Sequence, residues 1–221
     1  MSKREQRCAE VSELRVEPQG EGGGLPVIEG HAAVFDSLSQ ELGFLFPFKE
    51  RINKGAFKGT IEADDIRSLW NHDPNYVLGR NRAGTLELKE TSKGLKVRIF
   101  PPDTQWAKDL TQSISRGDVS QMSFGFTVEK ESWGVEDGQD IRTLERVKLY
   151  DVSPVTFPAY LETDVGVRSA LDAYEKHKQD MAKQAADESS TRAAKESSTQ
   201  AADRRAELTK LKEKFIKLED N

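Results

Sequence analysis

Cysteine is nearly missing from this chain: Cys8 is the one thiol in 221 residues. A lone cysteine closes no internal disulfide, so the sequence does not read as a stapled secreted domain, and a reducing intracellular compartment is expected. Histidine is scarce as well, with three residues, and these form no ligand set at zinc spacing with the cysteine. No metal and no other cofactor is therefore expected. No run approaches the roughly 18 apolar residues of a membrane span. The charged stretch Met1–Cys8 lacks the apolar core of a secretory signal. Positive charge is not in excess either: 33 Lys and Arg stand against 38 Asp and Glu, a net charge of -5. That balance offers no broad basic field for nucleic acid. A soluble protein that binds neither nucleic acid nor membrane is expected.

Apolar patterning is present in short pieces. Residues 118–128 alternate cleanly, with Met122, Phe124, Phe126 and Val128 on one side and Ser123, Gly125 and Thr127 on the other. A period of two marks a half-buried strand, which here carries a small hydroxyl on its open face. Gly125, two residues on, would let another backbone come close. Similar strands are expected over residues 9–17, 27–35, 48–52, 65–70, 76–80, 85–89, 94–100 and 144–150. The first two would form a hairpin around the glycine-rich turn at Gln19–Gly24. Pro74 should end the strand that leads to His72, and Pro154 and Pro158 should force an edge or bulged course. Residues 36–48, with Phe44, Leu45, Phe46 and Phe48, are expected to form a loop packed on the core or a cover over an apolar groove.

Helical spacing is clearest at Trp106, Leu110 and Ile114, which recur every four residues. Asp103 is the expected N-cap, and Arg116-Gly117 the C-terminal stop. Many short strands around one or two helices predict a mainly β fold, a β-barrel flanked by α-helices with a C-terminal helical or disordered tail. The expected division is a flexible N-terminus over 1–8, a folded domain over 9–170, a low-complexity linker over 171–206 and a short amphipathic helix over 207–221. The linker nearly repeats itself, 185–192 against 193–200, in small and charged residues that cannot bury a core. Leu208, Leu211, Phe215 and Leu218 then step as a short coiled-coil seam would, fit for docking a partner.

The candidate chemistry centres on Ser123. A serine alcohol is a weak nucleophile until a base takes its proton, and the base works best when a third group fixes its tautomer. Three histidines compete for the role of base: His31 inside an apolar strand, His72 at a strand end and His177 in the tail. His72 fits best because strand-end loops are where functional side chains gather. Asp151 suits the third position, with Asp73 and Asp118 as rivals, and Ser120 rivals Ser123. Each also has a plain reading, as an exposed strand hydroxyl, a turn residue and a capping acid. A G-x-S-x-G nucleophile elbow is excluded, because alternation continues past the serine to Val128.

Three blocks resemble a known family. Leu69-Trp-Asn-His-Asp-Pro74 with Leu78-Gly-Arg80, Arg116–Phe126, and Tyr150–Ala159 are similar to the signatures of tailed-phage prohead proteases, and Glu50–Phe57 is similar too. The likeness covers roughly residues 10–170. It implies the β-barrel shared with herpesvirus assemblins, and serine endopeptidase cleavage of scaffold and capsid-protein segments inside the immature capsid in the host cytoplasm. The family's histidine falls on His72, its serine on Ser123 and its acid on Asp151, where glutamate is frequent in the family. Further expectations are self-cleavage, most readily in the Ala/Ser/Thr-rich tail, and a homo-oligomer, a dimer. The competing expectation is a catalytically silent barrel that assists assembly through its C-terminal helix.

Overall fold

The computed structural model describes residues 4–9, 12–18, 24–42, 47–157, 172–191, 195 and 204. Two compact units divide the chain, Met1–Ala173 and Tyr174–Asn221. The first unit is β-rich with flanking helices. Its strands are β1 (Glu5–Cys8), β2 (Arg15–Glu17), β3 (Val27–Val34), β4 (Phe48–Ile52), β5 (Arg67–Trp70), β6 (Asp73–Arg80), β7 (Leu86–Glu90), β8 (Gly94–Ile99), β9 (Gln121–Glu136) and β10 (Gln139–Val155). Helix α1 (Lys58–Ala63) and helix α2 (Gln105–Arg116) complete it, with a 3-10 turn at Asn81–Ala83. In the second unit the described residues are helical through 191.

The expected barrel takes the form of two sheets around one apolar core. A six-stranded sheet runs β1-β9-β10-β5-β6 with β4 also on β10, and a four-stranded sheet runs β2-β3-β8-β7. Alternation explains the layering. Leu95, Val97 and Ile99 of β8 and Met122, Phe124 and Phe126 of β9 are all buried in a common cluster with Leu110 and Ile114 of α2. Phe124 stacks on Phe126 at 4.9 Å between ring centroids and meets the edge of Phe57 at 5.5 Å.

Strands β9 and β10 form a long hairpin. Its turn, Asp137-Gly138, has φ of 51° and 79°, the two left-handed residues of a type I′ connection whose twist matches the strands. On its other side β10 pairs in parallel with β4 at Asp140–Leu144 and with β5 at Asp151–Val152. Between those pairings Thr60 Oγ1 of α1 accepts the Leu149 N–H at 2.8 Å. The proline-bearing segment is thus interior, not an edge. Pro154 is accommodated because it sits near the strand's end, where its carbonyl accepts the Asn71 N–H at 3.0 Å. The predicted bulging does occur, with register breaks at Leu144/Arg146, Arg146/Val147 and Leu149/Asp151.

Other expectations shift in detail. Among the described residues of 9–17, Arg15–Glu17 is strand, and within residues 1–8, read as a flexible terminus, Glu5–Cys8 forms β1. Thr104, not Asp103, takes the N-cap position of α2, while Asp103 pairs with Lys108 at 2.6 Å. The strand before His72 ends at Trp70, and Pro74 lies inside β6 without a ladder partner, tolerable where β6 ends the sheet. Residues 19–23, Phe44, Leu45, Phe46, Pro158 and the 207–221 segment lie outside the described residues.

Candidate active site

Three backbone devices bring residues 72, 123 and 151 together. Ser123 stands near the start of β9, on the face opposite Phe124. Asp151 stands on β10 directly across from Gly125, and Ser153 across from Ser123. The bulge after Leu149 makes this possible. Leu149 pairs with Phe126 on the core face, so in an unbroken strand Asp151 would follow it inward. Tyr150 is the extra residue, and it moves Asp151 to the face of Ser123. His72 is the second residue of a two-residue turn joining β5 to β6, with Trp70 paired to Asp73. Asn71 and His72 have φ of 55° and 60°, a left-handed pair that non-glycine residues adopt at some cost. Asn71 pins that turn to the end of β10: its Oδ1 accepts the Thr156 N–H at 2.8 Å.

The result is a line of three groups. His72 Nε2 lies 2.7 Å from Ser123 Oγ, and His72 Nδ1 lies 2.5 Å from Asp151 Oδ2. Ser153 Oγ donates to the same carboxylate oxygen at 2.8 Å, and the Arg4 guanidinium binds Oδ1. Burial by itself raises the Asp151 pKa. The hydrogen bond and charge of His72, the Ser153 hydroxyl and the Arg4 charge outweigh it and hold the carboxyl below its ordinary value. Gly125 makes room: a Cβ there would lie 2.4 Å from Asp151 Oδ1. The close approach expected at this glycine is made by side chains, Asp151 and Arg4, rather than by a neighbouring backbone.

Ser123 is not on an open face. It is fully buried, and its hydroxyl also stands 3.0 Å from the Arg7 carbonyl of β1. The rival candidates are elsewhere. His31 sits in β3 with Nδ1 3.4 Å from Glu13, and burial first, then Lys93, lowers its pKa. His177 lies on the 172–191 helix of the second unit. Asp73 accepts the Asn75 N–H at 2.8 Å, Asp118 pairs with Arg116 at 3.1 Å, and Ser120 is exposed before β9. Sequence reasoning missed Ser153, Arg4 and Asn71. Ser153 shares a face with Asp151 by strand alternation, which was a usable signal. Arg4 gave none, since its partner lies 147 residues away.

A hydroxyl, an imidazole and a buried carboxylate in this order are the arrangement by which nucleophilic hydrolases activate an alcohol. The family comparison agrees with that class. The family model of the caudovirus prohead serine proteases matches residues 12–180. The prohead protease of Enterobacteria phage HK97 is 26% identical over 168 residues, covering 74% of this chain and 68% of that protein. The solved structure of the bacteriophage T4 capsid assembly protease superposes with a TM-score of 0.44 at 13% identity, covering 70% of this chain and 99% of the other. This chain belongs to the caudovirus prohead serine protease family.

Proposed function

We propose that the protein is a serine endopeptidase that cleaves scaffold and capsid-protein segments during prohead maturation, with Ser123 as nucleophile, His72 as general base and acid, and Asp151 orienting the imidazole. The observation that carries this reading is the pair of contacts on one imidazole, 2.7 Å to Ser123 and 2.5 Å to Asp151. Ser123 Oγ bonds to the scissile carbonyl carbon while His72 Nε2 takes the hydroxyl proton. His72 then gives that proton to the leaving amine as the C–N bond breaks, and water hydrolyses the remaining ester in a second cycle. Asp151 stays ionised and stabilises the imidazolium. Its depressed pKa suits that role, and Ser153 keeps its carboxylate from turning away. Work inside the immature capsid in the host cytoplasm, and cleavage of the protein's own tail, extend the same reading.

Co-expression with the capsid and scaffold proteins, as unaltered chain and as Ser123→Ala, tests it. Processed capsid protein is expected with the first and not with the second. Identical processing in both would remove Ser123 from the mechanism, and processing in neither would favour an inert assembly factor. Mass spectrometry of the incubated protein checks the tail: an intact tail beside fully processed capsid protein argues against self-cleavage.

A further inference from the structure

The nucleophile of the proposed site is covered by the protein's own N-terminal strand. β1 pairs antiparallel with the segment of β9 that bears Ser123, in the register Glu5 to Phe126, Gln6 to Gly125, Arg7 to Phe124 and Cys8 to Ser123. β1 precedes residues 12–180, the part matched by the family model. With it in place Ser123 is 0% and Asp151 1% exposed. A peptide pairing with this edge of β9 would have to displace it.

β1 is seated by specific contacts, and they describe a ligand. The Arg7 carbonyl lies 3.0 Å from Ser123 Oγ. The Ala9 N–H bonds to the Met122 carbonyl at 3.0 Å, and the alternation of an antiparallel ladder makes Arg7 and Phe124 the next hydrogen-bonded pair. Directly opposed residues share a face, so the Arg7 and Glu5 side chains turn to the side of Phe124 and Phe126, away from the hydroxyl. There the Arg7 guanidinium meets Glu50 Oε1 at 2.8 Å and lies over the Phe126 ring at 5.7 Å. Glu5 meets Arg142 Nη1 at 3.0 Å. On the hydroxyl side, Arg4 takes the second oxygen of Asp151 and lies over Tyr150 at 5.1 Å.

We propose that this edge of β9 is the substrate-binding groove, that it takes an extended peptide by strand addition with an acidic and a basic side chain two residues apart, and that β1 is a built-in occupant of it. This rests on the proposed function for its chemistry, but the binding itself does not. Arg142 reads the acidic side chain and Glu50 the basic one, as specificity-determining residues. Main-chain pairing supplies affinity and alternate side chains supply selection, as in other strand-addition recognition. The occupant is inhibitory because its contact with the nucleophile is to carbonyl oxygen. The Arg7 oxygen competes with His72 for the one hydroxyl proton, and Arg4 draws on the carboxylate that should serve His72. A substrate in the same register would present the carbonyl of its basic residue to Ser123.

The probe is a fluorescein-labelled peptide of residues 3–9, Lys-Arg-Glu-Gln-Arg-Cys-Ala. Its binding is measured by polarisation on two full-length chains, Ser123→Ala and Ser123→Ala with Arg7→Glu. The second places a carboxylate of β1 against Glu50 and loosens the built-in strand. Binding at least about tenfold tighter to the second chain is expected, together with about tenfold loss when the peptide's second arginine is replaced by glutamate. Equal or absent binding to both chains, while Ser123-dependent capsid processing persists, overturns the groove and leaves the function standing. Binding as expected without any Ser123-dependent processing supports the groove and removes the function. Should Arg7→Glu fail to fold, hydrogen exchange on the Ser123→Ala chain alone decides. Saturating peptide must release protection at residues 5–8 while 121–126 stay protected, and unchanged protection at 5–8 overturns the proposal.

Discussion

Two buried polar clusters flank β9, and both contain a carboxylate held below its ordinary pKa. One is the line Ser123–His72–Asp151. The other is a knot around Arg142, which is 2% exposed at its side chain and binds Glu5 and Glu50 at 3.0 Å each and Glu131 at 2.6 Å. Arg7 joins it, 2.6 Å from Glu5 and 2.8 Å from Glu50. Burial raises the Glu5 pKa, but Arg7 and Arg142 outweigh it and bring the carboxyl below its ordinary value. Burial likewise opposes the charge on Arg142, and Glu50 and Glu5 more than reverse that. A perturbed carboxylate therefore does not separate the proposed catalytic line from a cluster of fixed ion pairs. The partners do. Every cation in the knot is a guanidinium, which keeps its proton in proteins and has no acceptor, whereas the line has an imidazole, whose two ring nitrogens can hold a proton and offer a lone pair.

Substitutions should pull the two clusters apart. The largest effect belongs to the line: Ser123→Ala or His72→Ala should lower kcat by about 10⁵–10⁶, and Ser123→Ala should leave the melting temperature nearly unchanged, read by peptide hydrolysis and thermal unfolding. Asp151→Asn should cost about 10⁴, because the amide presents the wrong partner to His72 Nδ1. The knot should show a large effect on stability in addition to its effect on peptide selection. Arg142→Ala leaves two buried carboxylates to share Arg7 and should destabilise the fold by about 3–5 kcal/mol, read by urea unfolding, whereas Arg7→Met and Arg142→Met together with Glu5→Leu and Glu50→Leu should recover most of that. A destabilisation by Asp151→Asn as large as that of Arg142→Ala would erase the distinction.

Gly125→Ala sharpens it from a third direction. The new Cβ at 2.4 Å from Asp151 Oδ1 forces the carboxylate to move, and a shift of about 1 Å can cost about 10²-fold in kcat. The smallest effect is on acid stability. Glu5 and Asp151 have folded pKa values below their unfolded ones, 4.5 and 3.8. The unfolded chain thus binds more protons in acid, and the stabilisation is present above those values and lost as pH falls through the lower folded ones. Urea midpoints measured downward from pH 7 should fall steadily below about pH 4.5, and less steeply in the variant without Glu5.

Local patterning carried much of this into view. The alternation at Met122, Phe124 and Phe126 and the four-residue step at Leu110 and Ile114 are properties of one strand or one helix, so they can be read along the chain. The choice of His72, Ser123 and Asp151 also followed from strand ends and from family likeness. The parallel pairing of β10 with β4 and β5 was not legible, because nothing local names a distant neighbour. The left-handed turn at Asn71-His72 was hidden by Pro74, which drew the strand boundary to itself. β1 was hidden by its charge: Glu5 and Arg7 look like solvated residues until Arg142 and Glu50 are beside them.

The extra residue at Tyr150 makes the centre depend on parity as well as identity. Were the bulge ironed out with Tyr150 kept, the chain would hold the same side chains yet exchange inside for outside beyond Leu149, sending Asp151 into the apolar interior and Val152 toward the histidine. Such a chain would be chemically complete and mechanically mis-threaded. Deleting Tyr150 itself, by contrast, would leave a straight ladder with Asp151 still across from Gly125, so the centre is expected to tolerate loss of that residue.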